Sequence, residues 1–344
     1  PRVLAMATRD TADLTADAQG NAVANYDPYS PRTEADCIAA FGNGSGCHRA
    51  YLELIAGGAT RVVLVAIPAG TTDSQLASDN VLDTAFEAAE VVRPDIIVPW
   101  GRGGHPTDWE TPATPNAMQV GFHADNTTAG SLTSNLAQKV ANKCQQITDR
   151  THPCFAIMGI KPYAGSESAT PVTAMENLTA SIMSTHLGLP DLTDHGATAF
   201  GLNGQYLTVV GTEVNVSGYP QNATDRTKAG AFGYSNGACL LAGHLSQLDP
   251  WRAITGKQIF NVTGMRYNPT RTQQQAMIDK GIVPVTLDFN RVPIWVDGLT
   301  FGRSTSDYTR LSTLRIAFTA VQGVRQVAQQ FIGCLLYTSD AADE

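Results

Sequence analysis

The run Thr60–Pro68, TRVVLVAIP, places aliphatic and β-branched side chains at every position from Val62 to Ile67. A strand with one wet face alternates apolar and polar residues, and this one does not. Both of its faces must therefore be covered, which is the situation of a parallel strand in a sheet flanked by helices. Two further short runs, PDIIVPW (Pro94–Trp100) and CFAIMGI (Cys154–Ile160), read the same way. Helical patterns lie between them. CHRAYLELIAGGA (Cys47–Ala59) stops at Gly57-Gly58, SDNVLDTAFEAAEVV (Ser78–Val92) has Ser78 or Asp79 to cap it, and SLTSNLAQKVANKCQQI (Ser131–Ile147) is amphipathic. Strands separated by helices of this length predict an α/β fold. Its expected form is a mainly parallel sheet with crossover helices on both faces, plus a smaller α+β C-terminal domain.

The coarse plan follows. Residues 1–29 form an N-terminal extension expected to be truncated, since Pro1 replaces an initiator Met. Residues 30–227 form the α/β core, with a polar Gly/Pro/Thr/Asn-rich insertion near 101–130. A helix near Pro171–Leu187 and a strand over Gln205–Val216 complete it. After a polar loop, Ser217–Gly230, the C-terminal domain spans 228–333. It holds a helix near Gly237–Leu245, a strand Gln258–Thr263, a helix Thr272–Lys280, and strand-like runs IVPVTLDF and VPIWVDGLTF. In the last helix Leu311, Leu314, Phe318, Val321, Val324, Val327 and Phe331 fall on one face. Ser306 or Asp307 is its expected cap and Gly333 its expected end. The tail 334–344 breaks from this pattern and resembles translated adapter sequence, so it is set aside as an artefact or a disordered tail.

Composition removes several classes of function. Of 344 residues 43% are hydrophobic and only 16% charged, with a net charge of −8 and no Lys/Arg-rich run, which argues against nucleic acid as a partner. So little surface charge also hints at a surface covered by other chains. No apolar run reaches the length of a membrane span. The six cysteines (Cys37, Cys47, Cys144, Cys154, Cys239, Cys334) have no C-x-x-C spacing and read as reduced thiols. Six N-x-S/T sequons occur, but Asn177 falls in a predicted helix and Asn261 in a predicted strand, so they are taken as chance matches.

The one catalytic-looking motif is Gly233-Tyr234-Ser235-Asn236-Gly237, a G-x-S-x-G pattern that would suit a serine hydrolase of the α/β-hydrolase type. Its context is wrong. The residues before it, QNATDRTKAG, are polar where a buried strand is required. The only downstream histidine, His244, lies nine residues on, in the same predicted helix. Ser235 is therefore expected to cap that helix. His105, Asp108, Glu110, His123 and Asp125 could supply metal ligands, but all lie in one polar loop region with no fixed spacing, and solvated side chains are the better account. FGNGSGCH (Phe41–His48) could seat an anion at a helix start. It lacks the Lys of a phosphate-binding P-loop, and a plain turn capped by Ser45 explains it. His152, His186 and His195 show no partner pattern and read as structural. No catalytic, cofactor or metal residue is assigned, and no cofactor is expected.

Several blocks, in one order, resemble the contractile tail sheath proteins of bacteriophages and phage-like injection systems. They are Ser30–Gly70, with its FGNGSG turn, Gly-Gly-ended helix and hydrophobic strand; DTAFEAAEVVRPDIIVPWG; CFAIMGIKP; GACLLAGHLSQLDPWRAITGKQI; and MIDKGIVPV followed by VPIWVDGLTFGRSTSDYTRLSTLRIAFTAVQGVRQVAQQFIG. The resemblance spans about Ser30 to Gly333. It implies a non-enzymatic subunit that polymerises as stacked hexameric rings around a tail tube and contracts to drive the tube through an envelope. The implied partners are itself, the tube protein, and baseplate and tail terminator proteins. The implied location is a virion tail assembled in the host cytoplasm, without membrane insertion. Sheath proteins usually continue past that last helix into arms that link subunits, and here the chain departs from them. Arg310, Arg315 and Arg325 on that helix read as solvated charges, with pairing to neighbouring subunits as the alternative.

Overall fold

The computed structural model describes residues 1–9, 20, 23–68, 71, 79–100, 123–124, 136–160, 203–211, 214–216, 235–265, 268–279, 281–302 and 306–340. Its centre is β1 (Val3–Thr8), which pairs in parallel with β3 (Val62–Ile67) on one side and β4 (Ile96–Pro99) on the other. Beyond β4 come β6 (Phe155–Ile160), β7 (Leu207–Val210) and β10 (Ile282–Val283), all parallel. β5 (His123–Ala124) lies beside β6 further along than β4 reaches. β2 (Pro28–Tyr29) closes the far edge as the antiparallel member. The expected mixed α/β class with a mainly parallel sheet is what the chain adopts.

The unbroken apolar runs are explained by the alternation of strand side chains between two faces. Val3, Ala5, Ala7, Leu64, Ala66, Ile96, Val98, Phe155 and Ile157 face one hydrophobic cluster. Leu4, Met6, Val63, Val65, Ile67, Ile97, Ala156 and Met158 face another. The first is covered by α1 (Glu34–Phe41), α2 (Gly46–Gly57) and α5 (Ala238–Gln247). The second is covered by α3 (Asp79–Val92) and α4 (Leu136–Arg150), through Leu82, Ala85, Phe86, Ala89, Val140, Ala141, Cys144 and Ile147. A fully buried Leu such as Leu54 or Leu82 contributes about 1.5–3 kcal/mol relative to exposure.

Several boundaries differ from the sequence reading. The expected strand Gln205–Val216 is three pieces: a 3-10 turn Asn203–Tyr206, β7, and β8 (Val214–Val216) in a separate two-stranded sheet with β9 (Val262–Met265). At the break, a Cβ on Gly211 would sit 2.4 Å from Ile282 Cγ2, so a larger residue there would have to push the Ile282 side chain aside. Asn261 lies in the turn before β9, at φ 60°, and donates to the Ala56 carbonyl. IVPVTLDF divides at Pro284. β10 stays in the main sheet while β11 (Val285–Leu287) pairs antiparallel with β12 (Pro293–Trp295). α6 (Arg271–Asp279) matches its expected helix closely.

The last helix, α7 (Leu311–Asp340), begins later than Ser306 or Asp307 and does not stop at Gly333. Its expected apolar face packs at the start, and among the described side chains the later positions do not follow. Leu311 and Leu314 are buried, and the Phe318 ring stacks on Tyr206 with centroids 6.0 Å apart. Val324 and Val327, by contrast, are 68% and 55% exposed. Arg315 and Arg325 also depart from expectation. Arg315 is buried, and its guanidinium donates to the Leu245 carbonyl at 2.9 Å and to the Leu248 and Asp249 carbonyls, closing the C-terminal end of α5. Burial pushes its pKa down to about 10, against the pull of Asp249 and Asp95. Arg325 donates to the Thr148 carbonyl at 2.8 Å, in the last turn of α4, and Arg310 pairs with Asp297. Both helix ends place carbonyl oxygens and the negative pole of the helix dipole against a cation.

Candidate functional site

The G-x-S-x-G segment leads into α5, and α5 packs directly on α2. Two glycines make that approach possible: a Cβ on Gly57 would meet the Leu240 carbonyl oxygen at 2.6 Å, and one on Gly243 would meet that of Leu54 at 2.6 Å. Gly237 is the N-cap of α5 at φ 79°, a left-handed conformation that glycine adopts without strain. The cap thus falls on Gly237 and not on Ser235. The Ser235 hydroxyl instead accepts from the Gly237 N–H at 3.0 Å, a turn one step before the helix. Asn236 accepts from the Ala238 N–H and lies over β6, where a Cβ on Gly159 would fall 2.0 Å from its Cγ. The Ser235 backbone exchanges two hydrogen bonds with Val214, joining it to the β8–β9 sheet.

This geometry does not make Ser235 a nucleophile. The side chain is 1% exposed, and its hydroxyl donates to Glu53 Oε2 at 2.9 Å, with Glu53 itself 2% exposed. A nucleophilic serine stands at the surface with an imidazole in reach. His244 is engaged elsewhere: its Nδ1 accepts from the Trp295 indole N–H at 3.2 Å, and burial, with the Lys257 charge, lowers its pKa. What Ser235 and Glu53 do is tie α2 to the entrance of α5. The sequence carried no sign of Glu53, whose only local mark is an acidic residue on the apolar side of a helix.

The Gly42–Gly46 turn behaves as a helix start. Gly42 and Gly44 have φ of 94° and 76°, and the Ser45 hydroxyl caps α2 by accepting from the His48 N–H at 3.1 Å. Gly46 lies against the end of β1, where a Cβ would meet Thr8 Oγ1 at 2.7 Å. Gly44 and Ser45 already spend their N–H groups on His48 Nδ1 and the Gly42 carbonyl, which leaves the turn poorly equipped to hold an anion. His152 Nε2 lies 3.3 Å from Asp95 Oδ1.

His105, Asp108, Glu110, Asp125, His186, His195 and Asn177 lie outside the described residues, and of His123 only the backbone in β5 is described. Among the described residues no three His, Cys, Asp or Glu groups gather as a metal site would need, and no helix is long and apolar enough to cross a membrane. Cys37, Cys47, Cys144, Cys154 and Cys239 are buried free thiols. Burial raises the pKa of Cys37, Cys47, Cys144 and Cys239, which keeps these four protonated and unreactive.

No family model matches the sequence, and no curated protein does. Solved structures do. A chain of the six-fold symmetrised anti-feeding prophage baseplate aligns over 96% of this chain and 70% of its own length, at 12% identity and a TM-score of 0.54. The helical sheath of the same system in its contracted state aligns over 96% and 69%, at 13% identity and a TM-score of 0.53. The sheath tail protein Lin1278 from Listeria innocua aligns over 92% and 73%, at 8% identity and a TM-score of 0.51. Over nearly all of its length, this chain has the fold seen in sheath proteins of contractile injection systems and phage-type tails.

Proposed function

We infer that the chain is a structural, non-catalytic subunit of a contractile tail sheath. The observation that supports this is the structural match over 96% of the chain to the contracted helical sheath, far more than one shared α/β lobe would produce. In this reading copies stack as hexameric rings around an inner tube, with baseplate and terminator proteins at the two ends. Such a lattice needs heterologous contacts, which do not close on themselves and so propagate as a helix. Contraction is then a switch between two lattices of one nearly rigid subunit, driven by their difference in interface free energy. About 1 kcal/mol per subunit, summed over many copies, makes the change irreversible. The particle is a phage virion tail or an injection apparatus of the same build, assembled in the host cytoplasm.

The core at 30–227 and the region at 228–333 act in this reading as two lobes of one body. β10 from the second lobe lies beside β7 of the first, and α5 packs on α2, so neither lobe would complete its core alone. Negative-stain electron microscopy of a version with native termini tests the assignment. Rings or tubes of uniform width are expected. A version carrying native terminal segments that stays monomeric at every concentration, or a Ser235 that reacts with a fluorophosphonate probe, counts against it.

A further inference from the structure

We propose that the Gly42–Gly46 turn is an acid-sensitive latch, held shut by His48 and released when its ring takes a second proton. The ring is buried between α1 and α2 with both nitrogens engaged. Nδ1 faces the Gly44 N–H at 2.9 Å and can only accept from it, so the single ring proton sits on Nε2, 3.2 Å from Glu34 Oε1 on α1. A second proton must go to Nδ1, where it would point at a backbone donor. Both hydrogens cannot occupy that line, so Gly44 must leave.

The surrounding groups decide which side of the ring gives way. Burial opposes the cation most strongly, and Arg49 on α2 adds to it. Glu34 favours the cation but is outweighed, so the ring's pKa lies below that of a free imidazole. Arg9, at the end of β1, is committed to the Val23 and Ala40 carbonyls. Once protonated, the ring keeps Glu34, now a stronger partner, and loses Gly44. The opening is therefore local to the turn. It frees Gly44, held at φ 76°, while Gly42 stays bonded to Ile38 and Ser45 and the Ser45 cap on the His48 N–H stays in place. This latch does not depend on the sheath assignment.

Amide hydrogen exchange at Gly44, corrected for the intrinsic pH dependence of exchange, tests the proposal between pH 8 and 4.5 in the full chain and in His48→Gln. Glutamine can still accept from the Gly44 N–H through its amide oxygen but cannot titrate. Protection at Gly44 should fall at least tenfold in the wild type through the His48 titration and stay flat in His48→Gln. Equal protection at both ends of the range in the wild type, or the same loss in the variant, overturns the latch. Should the variant fail to fold, nitrogen NMR of the His48 ring at pH 7.5 decides: a proton on Nε2 is expected, and one on Nδ1 refutes the mechanism.

Discussion

Ser235 and Glu53, 182 residues apart in the chain, share a 2.9 Å hydrogen bond in which both side chains are buried. The bond joins α2 to the entrance of α5, so a motif suggestive of catalysis serves as an internal tie. A hydrogen bond between buried groups contributes about 0.5–3 kcal/mol, and removing the donor takes this bond from the Glu53 side chain. Ser235→Ala should therefore destabilise the chain by about 2 kcal/mol. Glu53→Gln, which keeps an acceptor, should cost less. Urea denaturation of both singles and the double gives the coupling, expected at or above about 0.5 kcal/mol for residues in contact. Additive losses would mean that the two side chains do not act together.

Glycines that look alike in the sequence should respond in opposite ways. Gly57→Ala and Gly243→Ala each drive a methyl to 2.6 Å from a backbone oxygen of the facing helix, an atom that cannot rotate away. A loss of about 1–3 kcal/mol is expected for each. Gly323, within α7, has nothing within 4 Å of its added Cβ. Gly323→Ala should raise stability by about 0.5–1 kcal/mol through helix propensity alone. Thermal melts of the three variants against the wild type check both signs.

What could be read from the sequence, and what could not, divides by the range of the signal. TRVVLVAIP announced a strand covered on both faces because every side chain had to be dry, and β3 is buried throughout. Gly57-Gly58 and Ser45 marked the ends of α2 because caps act within one turn. The split at Pro284 was hidden, since both halves of IVPVTLDF are good strand and only the sheet each joins tells them apart. Periodicity marked an apolar face on α7, of which Leu311, Leu314 and Phe318 pack on the core while Val324 and Val327 stay exposed. Period cannot say where the supporting core ends, and among the described side chains Val321, Val324 and Val327 lie beyond it. Glu53 could not be found at all, because its partner is specified by the tertiary fold and by nothing near it in the chain.

The N-terminal edge of the sheet should carry part of the acid sensitivity of the whole chain. Burial alone would raise the Asp95 carboxyl. Hydrogen bonds from His152 and from the Arg2 N–H outweigh it and hold the group below the usual carboxylate range. A carboxyl depressed in the folded state contributes stability that is fully present above its unfolded pKa of about 3.9, and that contribution is lost as pH falls through the folded value. The side chain is 34% exposed, so solvent screening limits the effect to about 1 kcal/mol. Urea midpoints of the wild type and Asp95→Asn should therefore differ most near pH 6 and converge towards pH 2.5. A constant gap across that range would show that Asp95 acts by its shape and not by its charge.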